Sequence, residues 1–185
     1  MSRSKHRETE YRPFPNEAPR NWRQERIEIP LMLWALHLPS GGRVLEVGCG
    51  RGVALPSLSR YLRPARLIGV DIDLSLLNKA GERLRASRTR AELVAADVRQ
   101  LPFPDHSFDL VIDFGTCFHL ARAADALSEV SRTLAPGGIF ATETRLNQLF
   151  SHPVRSRGRL IPWSASKALT PRNYAGLWQS RWRCI

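Results

Sequence analysis

Glycines and carboxylates follow short apolar runs at spacings that could hold a polar organic ligand. Gly48, Gly50 and Gly52 occur within five residues, and glycine lets a backbone approach a ligand where a Cβ would clash. Asp71 lies 23 residues after Gly48, near the ~20 expected for an acid that binds ribose hydroxyls. Asp97 follows a later apolar run, where its carboxylate can accept a hydrogen bond from an exocyclic amine. The pattern predicts a nucleotide-like ligand.

A further carboxylate lies inside the first apolar run. Glu46 stands two residues before Gly48, and a buried carboxylate is costly without partners, so a cationic ligand nearby would help explain it. A dinucleotide fingerprint would place its third glycine at Val53, whereas this chain places it one residue earlier. No Gly-Lys-Ser/Thr follows, which excludes a P-loop. Taken alone, Gly-x-Gly is also compatible with an ordinary tight strand–helix turn.

Strands that alternate with helices must position these groups. We predict strands at 43–47, 67–71, 92–95, 108–114 and 139–142, and helices at 27–38, 53–62, 74–86 and 121–134, with Pro136-Gly137-Gly138 as a turn. The alternation predicts an α/β fold with a doubly wound, mostly parallel, Rossmann-like sheet and helices on both faces. Ligands of such sheets bind at the carboxyl ends of the strands.

The helix before the first strand has one apolar face. Ile27, Leu31, Trp34 and Leu38 recur at helical spacing. Pro30 falls inside this pattern, so we expect the helix to be kinked or to start late.

Taken together, the motifs resemble those of class I S-adenosylmethionine-dependent methyltransferases. Residues 44–52, Val-Leu-Glu-Val-Gly-Cys-Gly-Arg-Gly, look like motif I of that family, and 67–71 look like its second-strand motif. Residues 101–109, Leu-Pro-Phe-Pro-Asp-His-Ser-Phe-Asp, are similar to a segment of the subgroup that includes ubiquinone- and menaquinone-type C-methyltransferases and many small-molecule methyltransferases. Residues 134–138 resemble that subgroup's turn before the fifth strand, and the resemblance covers about 27–144.

The resemblance implies S-adenosylmethionine as the cofactor and a set of residues that line its site. The set comprises Glu46, Gly48, Cys49, Gly50, Gly52, Asp71, Ile72, Asp97, Val98, Asp113 and Phe114. Within it, Asp71 would bind the ribose hydroxyls, Ile72 would pack on the adenine, and Asp97 would accept from the adenine amine. Glu46 would orient the loop near the ligand's ammonium group.

Methyl transfer from a sulfonium is an in-line displacement, for which the protein mainly supplies alignment. An oxygen or carbon acceptor usually also needs a base. The candidates are His119 and Asp113, with a polar loop histidine and a turn-capping acid as the alternative interpretations. Cys117 is most simply a packing residue, and the three cysteines have neither zinc nor disulfide spacing, so no metal is expected.

The net charge of +11 lies at the two ends of the chain. Residues 1–26 carry seven basic and four acidic residues, 27–144 carry thirteen of each, and 145–185 carry eight basic and no acidic residues. We therefore predict an irregular basic arm (1–22), a cofactor-binding core (23–144) and a basic C-terminal segment that completes or caps the domain (145–185).

These features predict a methyltransferase of a small organic acceptor that could be anionic or lipid-like. The rivals are an RNA methyltransferase that uses the basic ends and a non-catalytic S-adenosylmethionine-binding protein. Asp113-Phe114-Gly115-Thr116 stands where amino-methylating nucleic-acid enzymes carry Asn/Asp-Pro-Pro-Tyr/Phe, which argues against adenine-N6 or cytosine-N4 methylation without excluding other RNA methylations. A nucleic-acid acceptor is therefore the less favoured expectation.

The C-terminal segment departs from the family pattern. We expect a helix after Thr170-Pro171 and a sixth strand at 181–185, after which the final antiparallel strand of the family is missing. Either the edge stays open, which favours a homodimer, or 159–163 supply a substitute strand. No apolar run reaches the length of a membrane span and no secretory signal is evident, so a cytoplasmic location is expected.

Overall fold

The computed structural model describes residues 17–117, 120 and 122–142, together with the backbone of 155–156 and 159–160. The chain begins with α1 (Glu17–Arg23), a π-helical turn (Gln24–Glu28) and α2 (Ile29–Leu36). The alternating part then comprises β1 (Arg43–Val47), α3 (Leu55–Leu62), β2 (Arg66–Asp71), α4 (Leu74–Ala86), β3 (Glu92–Ala95), β4 (Phe108–Asp113), α5 (Ala123–Thr133) and β5 (Leu134–Thr142). Two short strands follow, β6 (Arg155–Ser156) and β7 (Arg159–Leu160).

The five long strands form one parallel sheet in the order β3-β2-β1-β4-β5. The order reverses between β1 and β4, the point at which open α/β sheets bind ligands. The predicted fold class is therefore confirmed, and no antiparallel strand joins this sheet among the described residues. The short strands β6 and β7 pair with each other instead, so Arg159 and Leu160 do not extend the sheet. Homodimerisation through the β5 edge stays a prediction.

Alternate residues of the strands build one apolar layer on each face of the sheet. Val44 and Leu110 contribute to the layer that α2, α3 and α4 cover. Leu45 and Val111 contribute to the layer that α5 and the segment before β4 cover. Because β1 and β4 are buried on both faces, they are almost continuously apolar, as strands of a parallel sheet are expected to be.

The first helical segment differs from its prediction in two respects. Residues 17–22, which we predicted to be irregular, are helical, and the π-helical turn ends just before Pro30. Proline lacks the N–H of a regular helical ladder, and such interruptions accompany π-turns. The predicted apolar face is also exposed: Ile29 and Leu33 enter the core, whereas Leu31 and Trp34 face solvent. The helix is apolar on two sides, so its periodicity could not show which side packs.

The predicted turn at Pro136-Gly137-Gly138 lies inside β5 as a bulge. Phe108 of β4 pairs with Leu134 of β5, and the next pair is Leu110 with Ile139. More residues of β5 than of β4 therefore lie between the two pairs. Gly137 has a φ of +79°, which glycine adopts without a steric penalty. His119, the helix after Thr170-Pro171 and the strand 181–185 lie outside the described residues. None of the described helices is long and apolar enough to cross a membrane.

Candidate functional site

The carboxyl ends of β1, β2 and β4 meet at the middle of the sheet. Val47 is opposite Val70 in β2 on one side and opposite Asp113 in β4 on the other. Asp71 follows Val70 as the last residue of β2. The glycine-rich loop after β1 therefore lies between two acids from the neighbouring strands.

Backbone hydrogen bonds hold this glycine-rich loop against β2. The Cys49 N–H donates to the carbonyl of Val70 at 2.8 Å, and the Gly50 N–H donates to Asp71 Oδ2 at 2.8 Å. Gly48, Gly50 and Gly52 all have positive φ, between +53° and +68°. L-residues with a Cβ rarely adopt this conformation, so the three glycines are needed for the path of the loop.

Asp71 is held in place by backbone donors. Its Oδ1 accepts from the Asp73 N–H at 2.9 Å while Oδ2 accepts from Gly50. Burial raises the pKa of the Asp71 carboxyl, although these N–H groups act in the opposite direction. The next residue, Ile72, is 60% exposed, which leaves an apolar side chain beside a fixed carboxylate. That pair suits a ribose and an adjoining flat ring.

Glu46 is a buried carboxylate that lacks a full set of partners. Its side chain is 3% exposed, and its Oε2 atom is buried with no hydrogen-bond partner among the described residues. Burial raises the pKa of Glu46 well above its ordinary value, and the negative charges of Asp71 and Asp113 raise it further. A bound cation at this point would relieve both costs. These three carboxylates therefore fit the positively charged ammonium and sulfonium groups of S-adenosylmethionine.

Asp113 organises the turn after β4. Its fully buried carboxylate accepts hydrogen bonds from the Thr116 N–H (2.6 Å), the Cys117 N–H (3.2 Å) and the Thr142 hydroxyl (3.2 Å). Burial raises the pKa of the Asp113 carboxyl against the effect of these donors. With its oxygens used internally, Asp113 matches the turn-capping interpretation better than that of a base. Among its partners, Cys117 is a buried cysteine that forms no disulfide.

The turn that Asp113 caps also contacts the glycine-rich loop. The Thr116 hydroxyl lies 3.4 Å from the carbonyl oxygen of Gly48, and a Cβ on Gly48 would collide with the Thr116 side chain. Sequence reasoning missed Thr116 and Thr142 as parts of the site. The spacing of Thr116, three residues after an acid at a strand end, is a signal for such a side-chain-capped turn.

Asp97 is paired with an arginine two residues later. The Arg99 Nη2 atom lies 2.6 Å from Asp97 Oδ2, and the Arg99 backbone N–H donates to Asp97 Oδ1 at 2.9 Å. These contacts lower the pKa of Asp97. Asp97 therefore lies where it was predicted, after β3, but an adenine amine would share its carboxylate with a guanidinium. The next residue, Val98, is buried.

The two remaining predicted lining residues pack in the core. Cys49 is 5% exposed, and a Cβ on Gly69 would lie 2.9 Å from its Sγ atom. Burial strongly raises the pKa of the Cys49 thiol, which keeps it protonated. Phe114 is half-buried against the α2–α4 layer. Both side chains therefore contribute to packing in this layer.

Comparison with known proteins places this geometry in a family. Residues 45–142 match the family model described as "Methyltransferase domain". The chain is 41% identical over 100 residues to a fatty-acid O-methyltransferase from Mycolicibacterium smegmatis, which covers 54% of this chain and 36% of the relative. It is 35% identical over 134 residues to a phthiotriol/phenolphthiotriol dimycocerosates methyltransferase from Mycobacterium tuberculosis, which covers 71% of this chain and 44% of the relative. The chain thus spans less than half the length of these two relatives.

Solved structures share the fold. A Pyrococcus horikoshii protein superposes with a TM-score of 0.60 at 30% identity, over 74% of this chain and 64% of the other. An S-adenosylmethionine-dependent methyltransferase from Aquifex aeolicus superposes with a TM-score of 0.60 at 21% identity, over 76% and 74% of the two chains.

Proposed function

Because this chain belongs to the class I S-adenosylmethionine-dependent methyltransferases, we propose that it transfers a methyl group to a lipid-like acceptor. The proposal that the cofactor is S-adenosylmethionine rests on one observation. Glu46 is buried near Asp71 and Asp113, and its Oε2 atom has no hydrogen-bond partner among the described residues. Three acids grouped at one end of a sheet favour a cationic ligand over an anionic one. The acceptor part rests on the relatives, two of which are named for fatty-acid and phthiotriol substrates.

Each part of the site would make one contribution to binding. The loop at Gly48 and Gly50 would lie against the methionine and ribose portions, with Asp71 on the ribose hydroxyls and Ile72 on the adenine. Glu46 would hold the negative potential that favours the cationic end. When bound, S-adenosylmethionine supplies a methyl group that its positive sulfur already activates. The residues of the chain therefore need to align the acceptor and exclude water more than to activate the donor.

The acceptor decides whether a base is needed. A fatty-acid carboxyl group has a solution pKa of roughly 4 to 5, so it is ionised at neutral pH and can attack without losing a proton. A hydroxyl acceptor must lose its proton during the reaction, and His119 is then our candidate base. Asp113 serves as a positioning residue because its oxygens hold the turn at Thr116.

The C-terminal segment suits an ionised acceptor. Residues 145–185 contain eight basic and no acidic residues. They follow β5, whose last residue, Thr142, touches Asp113 at the carboxyl end of the sheet. We propose that this segment caps the 23–144 core and attracts the carboxylate of the acceptor.

Calorimetric titration tests the cofactor part. Wild-type protein should bind S-adenosylmethionine, and Asp71→Asn should weaken that binding by roughly tenfold or more, because a charged hydrogen-bond acceptor is lost. Asp109→Asn is the matched control: Asp109 pairs with Arg43 at the amino end of the sheet and should leave affinity unchanged. Tight NAD binding with no response to S-adenosylmethionine would contradict the proposal.

Labelled S-adenosylmethionine tests the acceptor part. The protein is incubated separately with free fatty acids, hydroxylated lipids and total RNA, and label is followed into solvent-extractable product and into RNA. Label in the lipid products supports the proposal. Label in RNA favours the rival activity, and cofactor binding without any labelled product favours a non-catalytic protein.

A further inference from the structure

One side of the N-terminal helical segment exposes large apolar side chains. Trp22, Ile27, Leu31 and Trp34 are 61%, 48%, 58% and 72% exposed, and we call these four residues the apolar helix face. The last three follow helical spacing, i, i+4 and i+7. Trp22 precedes Ile27 by five residues, the hydrogen-bond spacing of the intervening π-turn. The four side chains therefore lie along one side of the segment.

The opposite side of the segment is already used for packing. Gln24, Ile29 and Leu33 are buried there. Glu25 accepts a hydrogen bond from Arg83 Nη1 at 2.9 Å, which ties the segment to α4. Because the opposite side packs against the domain, the apolar helix face points toward solvent. An exposed apolar patch of this kind marks an interaction site.

We propose that the apolar helix face docks on the surface of a membrane that contains anionic lipid. Two of its four residues are tryptophans, whose amphipathic rings favour the boundary between headgroups and acyl chains. The chain carries a net charge of +11, with +3 in residues 1–26 and +8 in residues 145–185. That charge complements an anionic bilayer, whereas a second copy of the chain would carry the same positive charge.

We expect the segment to dock at the surface of the bilayer and not to insert across it. The helical segment of 17–36 is apolar on its exposed side but carries Glu25 and Arg26 between the apolar positions. No described helix is long and apolar enough to span a membrane. The segment packs on α3, so docking would place the domain that contains the candidate site against the lipid surface. This inference does not depend on which acceptor is methylated.

Vesicle flotation with the full chain tests the inference. Wild-type protein should float with vesicles of phosphatidylcholine and phosphatidylglycerol. With vesicles of phosphatidylcholine alone, its apparent affinity for lipid should be at least about tenfold lower. The double variant Leu31→Ser/Trp34→Ser should raise the half-saturating lipid concentration about tenfold or more, because two large apolar contacts are lost. Leu31→Met/Trp34→Phe, which keeps apolar side chains, should bind within about twofold of wild type.

Two further measurements test alternative explanations. The first tests whether any exposed aromatic residue binds lipid non-specifically, and the second tests whether the apolar helix face serves folding or dimerisation. Tyr61→Ser removes a comparably exposed aromatic residue on α3 and should leave flotation unchanged. The serine double variant should keep the wild-type melting temperature and molar mass in solution, since exposed side chains contribute little to folding. Equal flotation of wild type and the serine variant, or no flotation of either, overturns the proposal. A large loss of melting temperature, or conversion of a dimer to a monomer, also overturns it, because the face is then covered by the chain itself or by a second copy.

Discussion

The contact between Gly48 and Thr116 makes Gly48→Ala the most informative single substitution. Gly48 has a φ of +65°, and an added Cβ would lie 2.5 Å from both Cβ and Cγ2 of Thr116 and closer still to its hydroxyl oxygen. Rotation of the Thr116 side chain cannot relieve this, because its own Cβ is fixed by the backbone. That backbone is held in turn by the Asp113 carboxylate.

The expected loss follows from two separate costs. A left-handed backbone costs an alanine about 1–2 kcal/mol, and overpacking a fitted site costs about 1–3 kcal/mol. Together they predict a loss of about 2–5 kcal/mol in the free energy of unfolding, or a fall in melting temperature of ~4–20 °C for a chain of this size. Gly50→Ala is the matched control, since Gly50 has a φ of +53° but nothing within 4 Å of an added Cβ. It should lose only about 1–2 kcal/mol.

Urea and thermal unfolding, with and without S-adenosylmethionine, measure both losses. The double variant Gly48→Ala/Thr116→Gly removes the colliding side chain and should recover at least about 1 kcal/mol relative to the sum of the single effects. If Gly48→Ala and Gly50→Ala were equally destabilised, or if the double variant showed no recovery, the loop–turn contact would not be the controlling feature.

Two further substitutions test the charges of the site and of its frame. Because burial raises the pKa of Glu46, folding takes up a proton there, and the contribution of Glu46 to stability should fall as pH rises above ~4.5. Glu46→Gln should make the fall in stability smaller in chemical denaturation across pH 4–8, and the remainder belongs to Asp71 and Asp113, whose pKa values burial also raises. The substitution should also weaken S-adenosylmethionine binding, and an unchanged pH profile would contradict the assignment. Arg132 donates to the carbonyls of Leu101 and Phe103 and to the Asp105 carboxylate. Arg132→Ala should therefore lower the free energy of unfolding by about 1–3 kcal/mol and speed amide exchange in 101–105. Arg85→Ala, at an exposed position of α4, should do neither.

The strands and most helices could be predicted because their signals are local. The bounds of β1, β3 and α4 agree with the predictions, and Asp73 caps α4 through the Ser75 N–H at 2.8 Å. Short apolar runs that end in glycine or acid have few alternatives to a buried parallel strand. The positions of Asp71 and Glu46 followed directly, since Asp71 is the last residue of β2 and Glu46 is the residue before the last of β1.

The features that the sequence did not predict depend on which side chains contact each other in the folded chain. The apolar side chains of the first helix fit two faces, and only packing against α3 and α4 selects Ile29 and Leu33 for the core. The partners of Asp113 come from the following turn and from β5, 29 residues away at Thr142. The pairing of Asp97 with Arg99 depends on side-chain direction, which spacing does not determine.

The central pairing of the sheet has a consequence for the order of folding. β1 lies beside β4, and the Arg43–Asp109 contact at its start joins residues 66 positions apart. Closing such a loop costs entropy before its contacts form, and contacts of this range slow folding. During synthesis the glycine-rich loop emerges early, but it meets the turn that supports it only after β4 has left the ribosome. A nascent chain that ends before residue 113 would therefore carry the glycine-rich loop without the turn that supports it.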